Sequence, residues 1–108
     1  MAKLLQKQYQ TVRDVELSYS LQGKGSPALL IHGWPQTQDA WRRVVPLLTD
    51  YHTVITVDLP GIGESAPSKS GYSKKDHARY LHEVVDFLGY KKIAIIGHDL
   101  GGQVAYAY

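Results

Sequence analysis

Val15, Leu17, Tyr19 and Leu21 alternate with Glu16, Ser18 and Ser20, the period-two spacing of a strand with one buried face. Tyr9 to Val12 predicts a partner strand ahead of it, joined through an Arg13-Asp14 turn. Ala28-Leu29-Leu30-Ile31, the β-branched run Thr53 to Val57, and Ile93-Ala94-Ile95-Ile96 are continuous instead of alternating. Such short runs predict strands buried on both faces. Helical spacing appears three times. Trp41, Val44, Val45 and Leu48 mark a helix from about Thr37, capped by Thr37 or Asp39, with a kink or an early end at Pro46. Ala78, Leu81, Val84, Val85 and Leu88 form the stripe of a second helix. Ser73 is its cap, Asp76 follows three residues on, and Gly89 is its stop. Gln103 onward, with Val104, Ala105 and Ala107, reads as the first turns of a third. Gln22 to Pro27 and Leu59 to Tyr72 are loops by their Gly, Pro and Ser content. The order β-β-β-α-β-α-β-α predicts an antiparallel lead and then a mostly parallel sheet with helices on both faces.

Composition narrows the function classes. The 108 residues suit a single domain, 1–108, with a modest core. A formal charge of +2, with basic residues only in pairs such as Arg42-Arg43 and Lys91-Lys92, argues against a nucleic-acid partner. The first ten residues lack the apolar core of a signal peptide, and no apolar run reaches membrane-spanning length. The absence of cysteine fits a reducing, cytoplasmic compartment and leaves no thiolate metal site. His52, His77 and His82 read as helix or loop surface; His77 and His82 are five apart, which is not the spacing of a helical metal pair. Gly61-x-Gly63-x-x-Ala66 formally matches a dinucleotide fingerprint. Pro60 and Pro67 flank it and no helix opens on the second glycine, so no nucleotide or other cofactor is expected. Trp41 and its stripe read as core, and Tyr106 and Tyr108 as interface or core.

The chemistry concentrates in Ile93 to Tyr108, where a strand, a glycine-crowded turn and a helix follow one another. That arrangement can hold one side chain in the open at the carboxyl end of the strand, with helix N–H groups aimed at it. The glycines are expected where a Cβ would collide with the neighbouring strand or helix. The central residue is Asp99. A carboxylate there can act as a nucleophile that forms a covalent ester. The plainer alternative is a turn or N-cap aspartate.

Three motifs in order give the chain a resemblance: His32-Gly33-Trp34-Pro35, Asp58-Leu59-Pro60-Gly61-Ile62-Gly63-Glu64-Ser65, and Gly97-His98-Asp99-Leu100-Gly101-Gly102. They resemble the H-G-x-P loop, the D-L-x-G-x-G-x-S segment and the G-H-D-x-G-G elbow of α/β-hydrolases with an aspartate nucleophile, the epoxide hydrolases and related dehalogenases. The resemblance implies the N-terminal half of that fold, with a five-stranded sheet in the order 1-2-4-3-5. It implies Asp99 as nucleophile toward a small epoxide, halide or ester, and backbone N–H groups of Trp34 and Leu100 as an oxyanion hole. His32, Gly33, Pro35, Gly97, His98, Gly101 and Gly102 would support them. His32 would shape the loop by hydrogen bonding, and His98 would be a packed structural residue. Haloalkane dehalogenases often have tryptophan after the nucleophile, and fluoroacetate-type dehalogenases tend to have arginine there. The aromatic residue at the Trp34 position looks more like an epoxide hydrolase, and Leu100 fits both dehalogenase types less well. The family's catalytic histidine, its partner acid and the cap come after the elbow, beyond the residues present here. The expectation is covalent alkyl-enzyme chemistry with little or no turnover. The alternative is a catalytically inactive half-domain that acts in assembly or binding. The fifth strand would be an edge, so a homodimer through that edge or through an uncovered sheet face is expected.

Overall fold

The computed structural model describes residues 5–108; residues 1–4, part of the stretch read for a signal peptide, lie outside it. Strands β1 (Gln8–Val12) and β2 (Val15–Gly23) form a hairpin in which Val12 faces Val15. Arg13 and Asp14 both take positive φ, 49° and 62°, as a two-residue turn matched to strand twist requires. Next come β3 (Ser26–Ile31), β4 (His52–Val57) and β5 (Ala94–Gly97). The sheet order is β1-β2-β4-β3-β5, as the resemblance implied. The sheet is mixed: β1/β2 and β2/β4 are antiparallel, β4/β3 and β3/β5 parallel.

Because side chains alternate across a strand, each sheet face has its own core. Leu17, Leu29, Ile31, Ile55 and Val57 pack on one face beneath α2 (Lys74–Phe87) and α3 (Leu100–Ala107). From α2 come Ala78, Leu81, Val84 and Val85, and from α3 comes Val104. Burying each valine or leucine contributes about 1.5–3 kcal/mol. The expected capping box closes the start of α2: the Ser73 hydroxyl accepts from Asp76 N–H, and Asp76 accepts from Ser73 N–H. Leu30 and Val54 line the opposite face with Val45, and Trp41, Val44 and Leu48 pack around them.

Two expectations need correction. The helix from Thr37 to Leu48 is two short pieces, a 3-10 helix at Gln38–Trp41 and α1 at Val45–Leu48. Thr37 caps the first piece, its hydroxyl accepting from Asp39 N–H at 3.2 Å. Pro46 has no N–H to continue that helix, so the chain breaks and restarts with proline in the first turn. The run from Ile93 to Ile96 is not buried on both faces. Among the described residues β5 pairs only with β3, leaving Ala94 and Ile96 exposed while Ile95 packs inward.

Candidate functional site

β3 and β5 lie side by side with Ile31 opposite Gly97, so the loops that leave them meet at one end of the sheet. His98 N–H donates to Ile31 O at 3.1 Å, tying the elbow to its neighbour. Asp99 then takes φ 57° and ψ −121°, a sparsely populated conformation that costs a non-glycine residue about 1–3 kcal/mol. Turn bonds from Gly101 N–H to His98 O and from Gly102 N–H to Asp99 O, both 2.9 Å, start α3 behind it. A Cβ on Gly97 would sit 2.3 Å from Gly101 O, and one on Gly101 would sit 2.2 Å from Ile31 O. Gly102 differs from the other two. Its nearest neighbour would be 3.9 Å away, so close approach does not explain that glycine.

Asp99 occupies the N-cap position of α3, but its side chain stands exposed and makes no capping bond into the helix. Oδ2 accepts from Trp34 N–H at 3.2 Å. The Leu100 and Trp34 N–H groups together hold this carboxyl below its usual pKa. Of the two expected oxyanion donors, Trp34 N–H makes a hydrogen bond to this carboxylate, and Leu100 N–H lies near enough to lower its pKa. Gly33 permits the approach, because a Cβ there would lie 2.7 Å from both Asp99 Cβ and His98 O.

His32 is fully buried at the root of that loop. Its Nε2 accepts from Leu59 N–H at 3.1 Å, so its Nδ1–H donates to Gly33 O at 2.9 Å. Both nitrogens are engaged, and burial pushes the imidazole pKa down. His32 is a neutral brace. Gln36 N–H also donates to Gly33 O, at 2.9 Å, and the Trp34-Pro35 peptide is cis. The Trp34 ring itself is 67% exposed.

The Asp58 segment braces the same loop from below. The Asp58 carboxylate is buried and accepts from Gln38 N–H at 2.8 Å and Glu64 N–H at 3.0 Å. Gly63, at φ 58°, passes so close that a Cβ would lie 2.4 Å from Asp58 Oδ2. Gly63 thus lies against a carboxylate, whereas Gly61 lies against the Tyr72 ring. Ser65 Oγ donates to Asp58 O at 2.7 Å and accepts from Ser18 N–H at 2.9 Å.

Sequence reasoning missed Gln38. Its side chain is fully buried, donating to Ser18 Oγ at 3.0 Å and accepting from Thr56 Oγ1 at 2.7 Å, with Ser20 bonded to Thr56 beyond. The available signal was Ser18, Ser20 and Thr56 on two strands, which needed a polar partner once the second sheet face was covered.

His98 and His77 fall differently from expectation, while His82 is on the surface as expected. His98 is exposed instead of packed, and lines a hollow of about 210 Å³ with Gln36, Ala40, Trp41 and Val44. Adjacent residues of the turn point apart, and Asp99 claims the side toward Trp34. His77 is buried instead of surface, beside Tyr72 with ring centroids 6.0 Å apart and an unpartnered Nδ1. His82 is exposed against the Tyr108 ring, and Tyr106 is 95% exposed. Among the described residues no three His, Asp or Glu side chains converge as a metal set, and no helix is long and apolar enough to cross a membrane.

The arrangement offers an exposed carboxylate with one oxygen held by the Trp34 backbone N–H. Soluble epoxide hydrolase of Corynebacterium sp. (strain C12) is 41% identical over 97 residues, covering 90% of this chain and 34% of that protein. Fluoroacetate dehalogenase of Burkholderia sp is 37% identical over 100 residues, covering 88% of this chain and 33% of that protein. The solved structure of epoxide hydrolase CorEH without ligand superimposes with a TM-score of 0.91 at 39% identity, covering 94% of this chain and 36% of that one. The chain thus spans about a third of the length of these relatives. A family model for the alpha/beta hydrolase fold matches residues 27–108, and the chain belongs to that family.

Proposed function

We propose that this chain carries the nucleophile portion of an epoxide-hydrolase-like α/β-hydrolase, with Asp99 as nucleophile and the Trp34 and Leu100 N–H groups as the oxyanion site. The observation that carries the reading is Asp99 itself: a strained, exposed aspartate whose Oδ2 is held by Trp34 N–H while the carboxylate stays open to solvent. A carboxylate oxygen attacks an epoxide carbon and the ring C–O bond breaks. The ring oxygen takes a proton from water, and a hydroxyalkyl ester of Asp99 remains. With an alkyl halide the halide leaves instead. The aromatic Trp34 and the Leu100 after the nucleophile favour epoxides over halides, since haloalkane dehalogenases often have tryptophan after the nucleophile and fluoroacetate-type dehalogenases tend to have arginine there.

Hydrolysis of the ester needs a base to deprotonate water, and His32 has both ring nitrogens occupied. The 108-residue chain alone is therefore expected to stop at the ester. Intact-mass spectrometry after incubation with styrene oxide tests this. One adduct of the epoxide's own mass on wild type, absent from Asp99→Asn, is expected. Many equivalents of diol per chain would refute the stalled ester, and an unmodified wild-type chain would refute Asp99 as nucleophile.

The second reading, an inactive half-domain acting in assembly, is favoured by β5. It is an edge strand with Ile96 45% exposed and no proline or charge to blunt it. Two copies pairing through β5 would satisfy those backbone groups as a homodimer. Sedimentation equilibrium at high micromolar concentration decides this: a dimer mass supports it, and a sharp monomer mass ends it.

A further inference from the structure

Between the end of β3 and the 3-10 helix, the loop that carries Trp34 is held at two roots. One root is His32, bonded to Gly33 O and Leu59 N–H. The other is Gln38, four residues past Trp34. Its backbone N–H binds Asp58 Oδ1 at 2.8 Å, and its fully buried side chain spans Ser18 and Thr56 on two different strands. A buried amide with both ends bonded is expensive to displace, because moving it orphans its partners as well. Within the loop, Gln36 N–H donates to Gly33 O at 2.9 Å and Thr37 O accepts from Ala40 N–H at 3.0 Å. The two roots, the Gly33 contact and the bonds to Gly33 O together set where Trp34 N–H points.

We propose that Gln38 is a positioning residue for the oxyanion site: its buried amide fixes the far end of the loop and thereby aims Trp34 N–H at Asp99. The proposal rests on the reading of Trp34 and Asp99 given above. It concerns geometry only, so it can be tested whether or not the chain alkylates. Gln38 touches neither Asp99 nor any reacting atom. It acts through the short stretch of chain from Pro35 to Thr37, which the Gln36 bond to Gly33 O ties at one end and Gln38 at the other. An error of about 1 Å in such placement is enough to cost roughly a hundredfold in rate where a donor matters.

The test uses the full chain and two spectroscopic readouts by NMR: the titration of the Asp99 carboxyl carbon and the chemical shift of the Trp34 amide proton. Gln38→Met keeps the length and removes both side-chain bonds. Val45→Ala, a fully buried change on the same sheet face outside the loop, supplies a control that lowers stability without touching the brace. Thr56→Val removes the donor to Gln38 Oε1 together with the Ser20 bond beyond it, leaves the Gln38 bond to Ser18 in place, and serves if Gln38→Met does not fold. In the wild type the Asp99 carboxyl titrates below an ordinary aspartate. Gln38→Met, or Thr56→Val to a lesser degree, is expected to move that titration up toward the ordinary value and to shift the Trp34 amide upfield. Val45→Ala is expected to leave both in place. Wild-type values of both readouts in a folded Gln38→Met or Thr56→Val chain would overturn the proposal, and so would equal shifts in Val45→Ala. A wild-type chain that fails to alkylate would instead count against the catalytic reading and leave this result standing.

Discussion

Gly101 and Gly102 are adjacent, both lie in the first turn of α3, and replacement by alanine should move stability in opposite directions. A Cβ on Gly101 would lie 2.2 Å from Ile31 O, 2.8 Å from Ile31 C and 2.6 Å from His32 O, where ordinary contact begins at 3.4 Å. All three atoms are backbone at the end of β3, so no side chain can rotate away. Either α3 moves off the sheet by about 1 Å, opening the packing around the fully buried Val104, or the β3 end distorts. Overpacking of this kind costs typically 1–3 kcal/mol, and the fixed backbone places Gly101→Ala at the top of that range, roughly 3 kcal/mol. At about 4–8 °C per kcal/mol for a chain of this size, the melting temperature should fall by roughly 12–24 °C. Gly102→Ala meets nothing nearer than 3.9 Å and exchanges a poor helix former for the best one. It should gain up to about 1 kcal/mol, a rise of a few degrees. Thermal and urea unfolding followed by circular dichroism read both. Melting within 2–3 °C of wild type for Gly101→Ala, about the shift expected from under 1 kcal/mol, would refute the close approach of α3 to β3 on which the elbow geometry depends.

Other perturbations read other parts of the site. Asp58→Asn replaces a buried acceptor of two backbone N–H groups with one that must turn its NH2 toward one of them, costing about 1–3 kcal/mol in urea unfolding. An unchanged midpoint would deny the carboxylate its bracing role. Trp34→Ala should leave the Asp99 titration low, because the donor is backbone and the indole is 67% exposed; a titration at the ordinary aspartate value would show that the ring sets the loop. His77 has its pKa lowered by burial, against the opposing pull of Asp76. The unfolded chain takes up this proton near pH 6.5 and the folded chain only at lower pH, so the associated stability is full above about 6.5 and is lost as pH falls through that window. His32 acts in the same sense. The urea midpoint should therefore drop between pH 7.5 and 5, and drop less in His77→Phe; equal drops in both chains would be the contrary result.

Elements whose signals are local were legible in the residues. Ser73 and Asp76 mark the start of α2, Gly89 its end, and Arg13-Asp14 the hairpin turn, because each signal acts within four residues. The Asp99 elbow was legible for the same reason: strand, turn and helix are contiguous. What failed was nonlocal. The apolar run at Ile93 to Ile96 records a preference for burial, but burial on both faces needs elements packed over both, and among the described residues only the Ile95 side of β5 is covered. Alternation in β2 assigned Ser18 and Ser20 to the side away from the main core, correctly. It could not say that a 3-10 helix from elsewhere would lay Gln38 over them. Pro46 was recognised as a disturbance. Its effect, splitting one helix into two pieces, also let the first piece turn that amide into the sheet.

The two halves of the site are built by different forces, and their division of labour follows from what each must hold. Asp99 must stay in an unfavourable backbone conformation, so its half relies on backbone packed against backbone at Gly33, Gly97 and Gly101, where steric contact is stiff and needs no side chain. Trp34 must present an N–H in a direction, with no strain to resist. Its half relies on hydrogen bonds, which are directional: His32 to Gly33 and Leu59, Asp58 to Gln38 and Glu64, Gln38 to Ser18 and Thr56. These polar groups lie beneath the loop, where burial raises the penalty for leaving any one unpaired, so the set tends to hold or fail as a unit. The two devices meet at one contact, Asp99 Oδ2 and Trp34 N–H at 3.2 Å. That contact forms because parallel β3 and β5 end in register and release their loops at the same edge.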